Sequence, residues 1–188
     1  TSDRGPGGDA HPHFSAADVM VVKPTIASHA NTFASLSDDD IDQLCGPDGP
    51  PFVEIVQAGG TRSMLRVVER LKETDSLHRL LIGTDTPTGY GVTSLGILKT
   101  IGDICSLADV APEVGWAIAS GQGAAAFGAE GNVIEVGAPA DLTVIDASLG
   151  SVEDTALSAI AAGEFPGVGV VVTDGVVRVA GSLCTLRA

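Results

Sequence analysis

Two side chains able to bind a cation or move a proton, His29 and Asp85, each close a short apolar run. Asp85 ends Leu80-Leu81-Ile82-Gly83-Thr84-Asp85, ahead of the loop Thr86-Pro87-Thr88-Gly89-Tyr90-Gly91. His29 ends Thr25-Ile26-Ala27-Ser28-His29, just after Lys23-Pro24. Between them Phe52-Val53-Glu54-Ile55-Val56 carries Glu54 and is followed by Gln57. Such runs read as buried parallel strands, and in α/β barrels the chemistry sits at their C-terminal tips. A neutral imidazole and a carboxylate converging at one mouth make a divalent-metal site, and the carboxylate can also take a proton from water. Each residue has a structural alternative. Asp85 can cap its own loop through the backbone. A lone histidine such as His29 is more often a satisfied buried side chain. Glu54, flanked by Val53 and Ile55, reads equally as half of a structural ion pair.

Other arrangements are weaker. His11-Pro12-His13 has the H-x-H spacing that puts two imidazoles on one face of a strand. Its flanks, Gly7-Gly8-Asp9-Ala10 and Phe14, make it a loop instead. His78 lies just before the third run, at the opposite end from Asp85, and reads as a surface residue. No phosphate-binding glycine pattern follows a strand, and Gly121-Gln122-Gly123 falls inside a helical pattern. Ser28-His29 lacks the surroundings of a nucleophile elbow.

The 188 residues suffice for one domain, or for one domain and a small partner, and 44% of them are hydrophobic. Aromatics make up only 4% and there are 24 glycines, so the core must rest on Val, Ile, Leu and Ala, which suits a parallel sheet with tight connections. A formal net charge of -14 repels nucleic acid and anionic lipid, and excludes both as partners. Cys45, Cys105 and Cys184 are dispersed, which fits reduced thiols and a cytoplasmic location rather than a disulfide or zinc framework. No apolar run is long enough to span a bilayer. The N-terminus has neither an initiator Met nor a signal-peptide core, which suggests a fragment or a processed product.

Around these runs the pattern predicts helices. A short one follows Ser15, with Asp18 at the capping-box position, and another spans Asp38 to Leu44 before the breaker Gly46-Pro47-Asp48-Gly49-Pro50-Pro51. Thr61 to Thr74 is amphipathic, with Met64, Leu65, Val67, Val68 and Leu71 on its apolar side. Leu95 to Leu107 and Pro112 to Phe127 follow, the latter closed by Gly128 and Gly131. Strand and helix thus alternate three times, the rhythm of a parallel sheet or barrel. Beyond Gly131 the texture is β-rich. Short strands are expected at Val133-Ile134, Asp141 to Asp146, Gly169 to Val172 and Val176 to Ala180, with a hairpin at Asp174-Gly175 and a helix over Val152 to Ala162.

A family resemblance rests on this tail. Ala124-Ala125-Ala126-Phe127-Gly128, then Gly131 through Gly137-Ala138-Pro139-Ala140-Asp141-Leu142-Thr143-Val144-Ile145-Asp146, resembles the C-terminal signature of the metal-dependent amidohydrolase superfamily. Val172-Thr173-Asp174-Gly175-Val176-Val177 is similar to that family's closing hairpin. Ser28-His29 resembles its sixth-strand histidine and Ile82-Gly83-Thr84-Asp85 its eighth-strand aspartate. Phe52 to Gly59, Pro87 to Leu98 and Leu149 to Gly167 resemble the enamidase-like branch, which opens cyclic enamides or lactams.

The resemblance implies an α/β fold: the C-terminal half of a (β/α)8 TIM barrel, strands six to eight, over residues 1–130, and the C-terminal part of a small β-sandwich over 131–188. It implies one or two divalent ions, Zn or Fe, in the complete enzyme. His29 and Asp85 would be metal ligands, with His29 on the second ion. Asp85 would also be catalytic, taking a proton from the attacking water and passing it to the leaving nitrogen. Glu54, Gln57, Thr86 and Pro87 are substrate-binding candidates, and the Pro87 to Gly91 and Asp3 to His13 loops would shape the mouth. The family's H-x-H pair and bridging ligand have no counterpart here, because Thr1 falls just after the fifth-strand histidine. The segment alone is therefore expected to bind metal weakly and to be inactive.

The expected function is that of the parent enzyme: a small-molecule cyclic amide substrate cleaved at a C–N bond, in a homo-oligomer. Two alternatives stand beside it. One is a non-catalytic binding or assembly module built on an amidohydrolase remnant. The other is an amidohydrolase acting on a dihydropyrimidine, hydantoin or imidazolone ring.

Overall fold

A computed structural model describes residues 15–31, 36–88, 91–129, 133–181 and 184–185. His11-Pro12-His13, the Asp3 to His13 loop, Gly89-Tyr90 and Gly131 lie outside the described residues. The chain forms two compact units, Thr1–Asp85 and Thr86–Ala188.

The first unit is a parallel sheet with helices packed on it. Its elements are α1 (Ala16–Val22), β1 (Ile26–Ala27), α2 (Asp38–Cys45), β2 (Phe52–Val56), α3 (Thr61–Glu73) and β3 (Leu80–Gly83), with a 3-10 turn at Leu77–Arg79. The sheet order is β1-β2-β3, with Ala27 opposite Val53 and Glu54 opposite Leu81. Capping boxes start two of the helices: Ser15 with Asp18 for α1 and Ser37 with Asp40 for α2, each satisfying backbone N–H groups that the helix leaves unpaired. The apolar stripe of α3 buries Met64, Val67, Val68 and Leu71, while Leu65 stays half-buried. Burying such side chains contributes roughly 1.5–3 kcal/mol each. Val53 and Ile55 are fully buried and alternate with half-buried Phe52 and Glu54, so the two faces of β2 differ in kind.

Arg79 ties this unit together. It is 9% exposed, and its guanidinium donates to the carbonyls of Leu44, Cys45, Gly46 and Pro50 at 2.7–3.2 Å. Those carbonyls close the C-terminus of α2 and the turn after it, where a helix leaves acceptors without partners and where a cation is favoured.

The first strand differs from expectation. It ends at Ala27, two residues short of His29, because His29 turns into the left-handed region at φ 59° and the chain leaves the ladder there.

The second unit holds α4 (Gly96–Ala108), α5 (Pro112–Ala119), α6 (Gly121–Phe127), β4 (Leu142–Asp146), α7 (Ala156–Ala161), β5 (Gly167–Thr173) and β6 (Val176–Ala180). Helices α4, α5 and α7 pack on one another, and β4-β5-β6 form an antiparallel sheet with the hairpin at Asp174-Gly175. The single helix expected over Pro112 to Phe127 is broken at Ser120, whose ψ is -92°. Ser120 Oγ returns a hydrogen bond to the Trp116 carbonyl, and Gly121 and Gly123 bring low helix propensity just beyond. Gly128 ends α6 in the left-handed conformation, as its position predicts. Val133-Ile134 is not a strand; both residues are irregular and exposed. Helix α7 starts later than expected because Thr155 and Ser158 cap each other. No helix among the described residues is long and apolar enough to cross a membrane.

Candidate functional site

The parallel sheet sets His29 and Asp85 at one end. Asp85 lies two residues beyond the tip of β3, and His29 two beyond the tip of β1. Both are non-glycine residues at positive φ, 59° and 56°. Histidine and aspartate are among the residues that tolerate this region best. His29 Nε2 and Asp85 Oδ1 are 3.6 Å apart, and both side chains are 43% exposed.

That separation is too long for a direct hydrogen bond. It does fit two ligands of one ion: bonds of about 2.1 Å at tetrahedral angles place their donors about 3.4 Å apart. The donor set, one imidazole nitrogen and one carboxylate oxygen, is chemically suited to Zn or Fe. Among the described residues no group of three His, Cys, Asp or Glu comes together, so the pair supplies only part of a coordination sphere.

The remaining candidates are placed less tightly. Glu54 is half-buried in mid-strand, and its carboxylate lies over Gly83. A Cβ at Gly83 would sit 2.7 Å from Glu54 Oε1, so the missing side chain makes room for the acid. Gln57 follows the tip of β2, where its backbone N–H donates to the Gly83 carbonyl at 2.9 Å. Thr86 and Pro87 are exposed, are joined by a cis peptide and open the second unit. The loop they begin is closed by a pair of backbone hydrogen bonds between Thr88 and Gly91. His78 is exposed in the turn before β3. A mainly apolar pocket of about 630 Å³ lies along α1 and β1, with Val19, Val22, Ile26 and His29 among its walls. Asp85 does not line it, so it is a flank of the sheet rather than a mouth shared by the pair.

Sequence reasoning passed over Asn31 and Arg79. Both are buried polar residues whose partners are backbone groups far away in sequence. The signal for Asn31 was its place, a short amide two residues past a strand-tip histidine.

No family model matches the chain. Among curated proteins it is 39% identical over 174 residues to an enamidase of Eubacterium barkeri. Among solved structures it matches an enamidase, described as a new member of the amidohydrolase superfamily, with a TM-score of 0.87 and 36% identity. The chain is an enamidase homologue. The sequence alignment takes in 90% of the homologue and 45% of the curated enamidase, and the structural match takes in 100% and 48%. The homologue thus spans just under half the length of both relatives. Its α/β fold is that of the matched part of the enamidase structure.

Proposed function

We propose that this chain is the C-terminal segment of a metal-dependent amidohydrolase that cleaves a C–N bond in a cyclic amide-like substrate. The observation that carries the reading is the 3.6 Å approach of His29 and Asp85 beyond two parallel strand tips, in a chain 39% identical to an enamidase. In this reading β1, β2 and β3 are barrel strands six to eight, and residues 131–188 are the C-terminal part of a β-sandwich. The complete protein works on a small molecule as a cytoplasmic homo-oligomer.

His29 through Nε2 and Asp85 through a carboxylate oxygen would hold a divalent ion, Zn or Fe. When bound, such an ion polarises a carbonyl and lowers the pKa of water. Asp85 takes the proton of the attacking water at its carboxylate and returns it to the ring nitrogen as the C–N bond breaks, which is general base followed by general acid work. Glu54, Gln57, Thr86 and Pro87 contact the substrate. The remaining ligands come from the part of the protein outside this chain, and two donors alone support weak metal binding and little catalysis.

The test is an assay of the full-length protein containing this chain on cyclic enamides and lactams, with Zn or Fe supplied. Ring opening that stops with a chelator and returns with metal supports the reading. Ring opening that is indifferent to chelator refutes it.

A further inference from the structure

We propose that Asn31 is the positioning residue that sets His29 in its place beside Asp85. This rests on the reading above for what His29 does, but the geometric argument is independent of it. Beyond Ala27, which stands opposite Val53, the first strand stops pairing by its backbone in the ordinary way. Ala30 N–H donates to the Glu54 carbonyl at 2.9 Å. The Asn31 side chain then takes both backbone groups of Val56: Nδ2 donates to its carbonyl, and Oδ1 accepts from its N–H, each at 2.8 Å. A side-chain amide, carrying one acceptor and a donor like a peptide group, completes the edge of β2 as a neighbouring strand would.

The register shows what this does to His29. Four residue steps, Ala27 to Asn31, run beside the three steps from Val53 to Val56. One residue is in excess, as in a β-bulge, the device that re-aims a side chain next to a site. His29 stands within that excess, at φ 59°. The turn carrying the imidazole is therefore pinned on both sides, by Ala27 in the sheet and by Asn31 on Val56.

Asn31 is itself held. It is 1% exposed, and its carbonyl accepts the Gly60 N–H at 2.6 Å. A Cβ at Gly59 would stand 2.4 Å from Asn31 Nδ2, so the backbone there comes as close as glycine permits. Outer groups that hydrogen-bond the free ring nitrogen of a metal-binding histidine decide where it points; Asn31 would do so through the backbone, without touching the ring.

The experiment uses the full-length protein containing this chain and reads the His29 ring directly. Long-range proton–nitrogen correlation spectra, assigned with His29→Gln, are recorded for wild type, Asn31→Ala, Asn31→Asp and Leu71→Ala. Leu71→Ala weakens the same unit from the far end of α3. The expected result is one ordered set of His29 ring signals in wild type and in Leu71→Ala. Signals should move toward those of an unstructured histidine in Asn31→Ala, with Asn31→Asp in between because it keeps the acceptor for Val56 N–H. Unchanged His29 signals in Asn31→Ala would overturn the proposal. If that variant does not fold, the comparison of Asn31→Asp with Leu71→Ala decides in the same way. Zinc titration of the same proteins tests the functional reading separately. Affinity should fall with His29→Gln and Asp85→Asn, and by about 10- to 100-fold in Asn31→Ala. Zinc binding indifferent to His29→Gln and Asp85→Asn would refute the metal reading while leaving the ring spectra to decide on Asn31.

Discussion

Arg79→Met removes a buried cation and its donors while keeping much of the apolar stem. The carbonyls of Leu44, Cys45, Gly46 and Pro50 then lose hydrogen bonds in a region where Arg79 is only 9% exposed. A buried group left unsatisfied costs about 1 kcal/mol at the low end of the usual range, so four carbonyls give about 4 kcal/mol. Gly46 keeps a second donor in the Gly49 N–H, which lowers the expectation to about 3 kcal/mol. Against a typical domain stability of about 5–15 kcal/mol this is a large share. Urea unfolding followed by circular dichroism measures it. With a denaturant slope of about 2 kcal/mol per molar, the midpoint should fall by about 1.5 M at unchanged slope. Arg79→Lys should recover part of the loss, since an ammonium reaches fewer carbonyls than a planar fork. A loss below about 1 kcal/mol in Arg79→Met would show that water or backbone shifts satisfy those carbonyls, and the reasoning would fail.

Three further predictions concern titrating groups. Burial pushes the thiols of Cys45 and Cys105 up to about 11, whereas Cys184 is exposed. A thiol reagent at pH 8 should therefore modify Cys184 first in the native chain, and rapid labelling of Cys45 or Cys105 before unfolding would contradict this burial. The same shift has a sign for stability: the unfolded thiols ionise first, so their contribution is intact below the ordinary value of 9.0 and is lost as pH rises through about 11. For Cys45 the loss amounts to about 3 kcal/mol, to be read from unfolding curves across that window. The Arg62 guanidinium, hydrogen-bonded to Asp38, holds that carboxyl below the usual range. Its contribution is present above the unfolded value and is lost as pH falls through the folded one. Asp38 in Arg62→Met should titrate nearer the ordinary value by carboxyl NMR, and an unchanged titration would refute the pairing.

Much of the parallel unit was legible because its cues are local. Apolar runs with Asp, His or Gly at their ends mark strand tips, Ser15 with Asp18 marks a helix start, and the α3 stripe repeats with helical period. The convergence of His29 with Asp85 was visible as two strand tips in a βα rhythm, though their 3.6 Å separation was not. What stayed hidden depends on backbone groups distant in sequence. Asn31 answers Val56, 25 residues away, and Arg79 answers carbonyls 29 to 35 residues back, and no pattern of side chains marks either. Ser120 shows the opposite failure. Glycines flank Gln122 on both sides, yet the apolar periodicity runs on through Phe127 and by itself predicts one helix. Val133-Ile134 has the composition of a strand and no pairing partner among the described residues.

Asp85 remains the residue on which the account turns. The most direct measurement is the turnover of a cyclic amide by the full-length protein carrying Asp85→Asn, with metal supplied and unfolding checked alongside. The exchange keeps the size of the side chain and removes its capacity to take a proton. A fall in kcat of at least about 100-fold, with the fold intact, is the predicted result. Full activity in Asp85→Asn would contradict it.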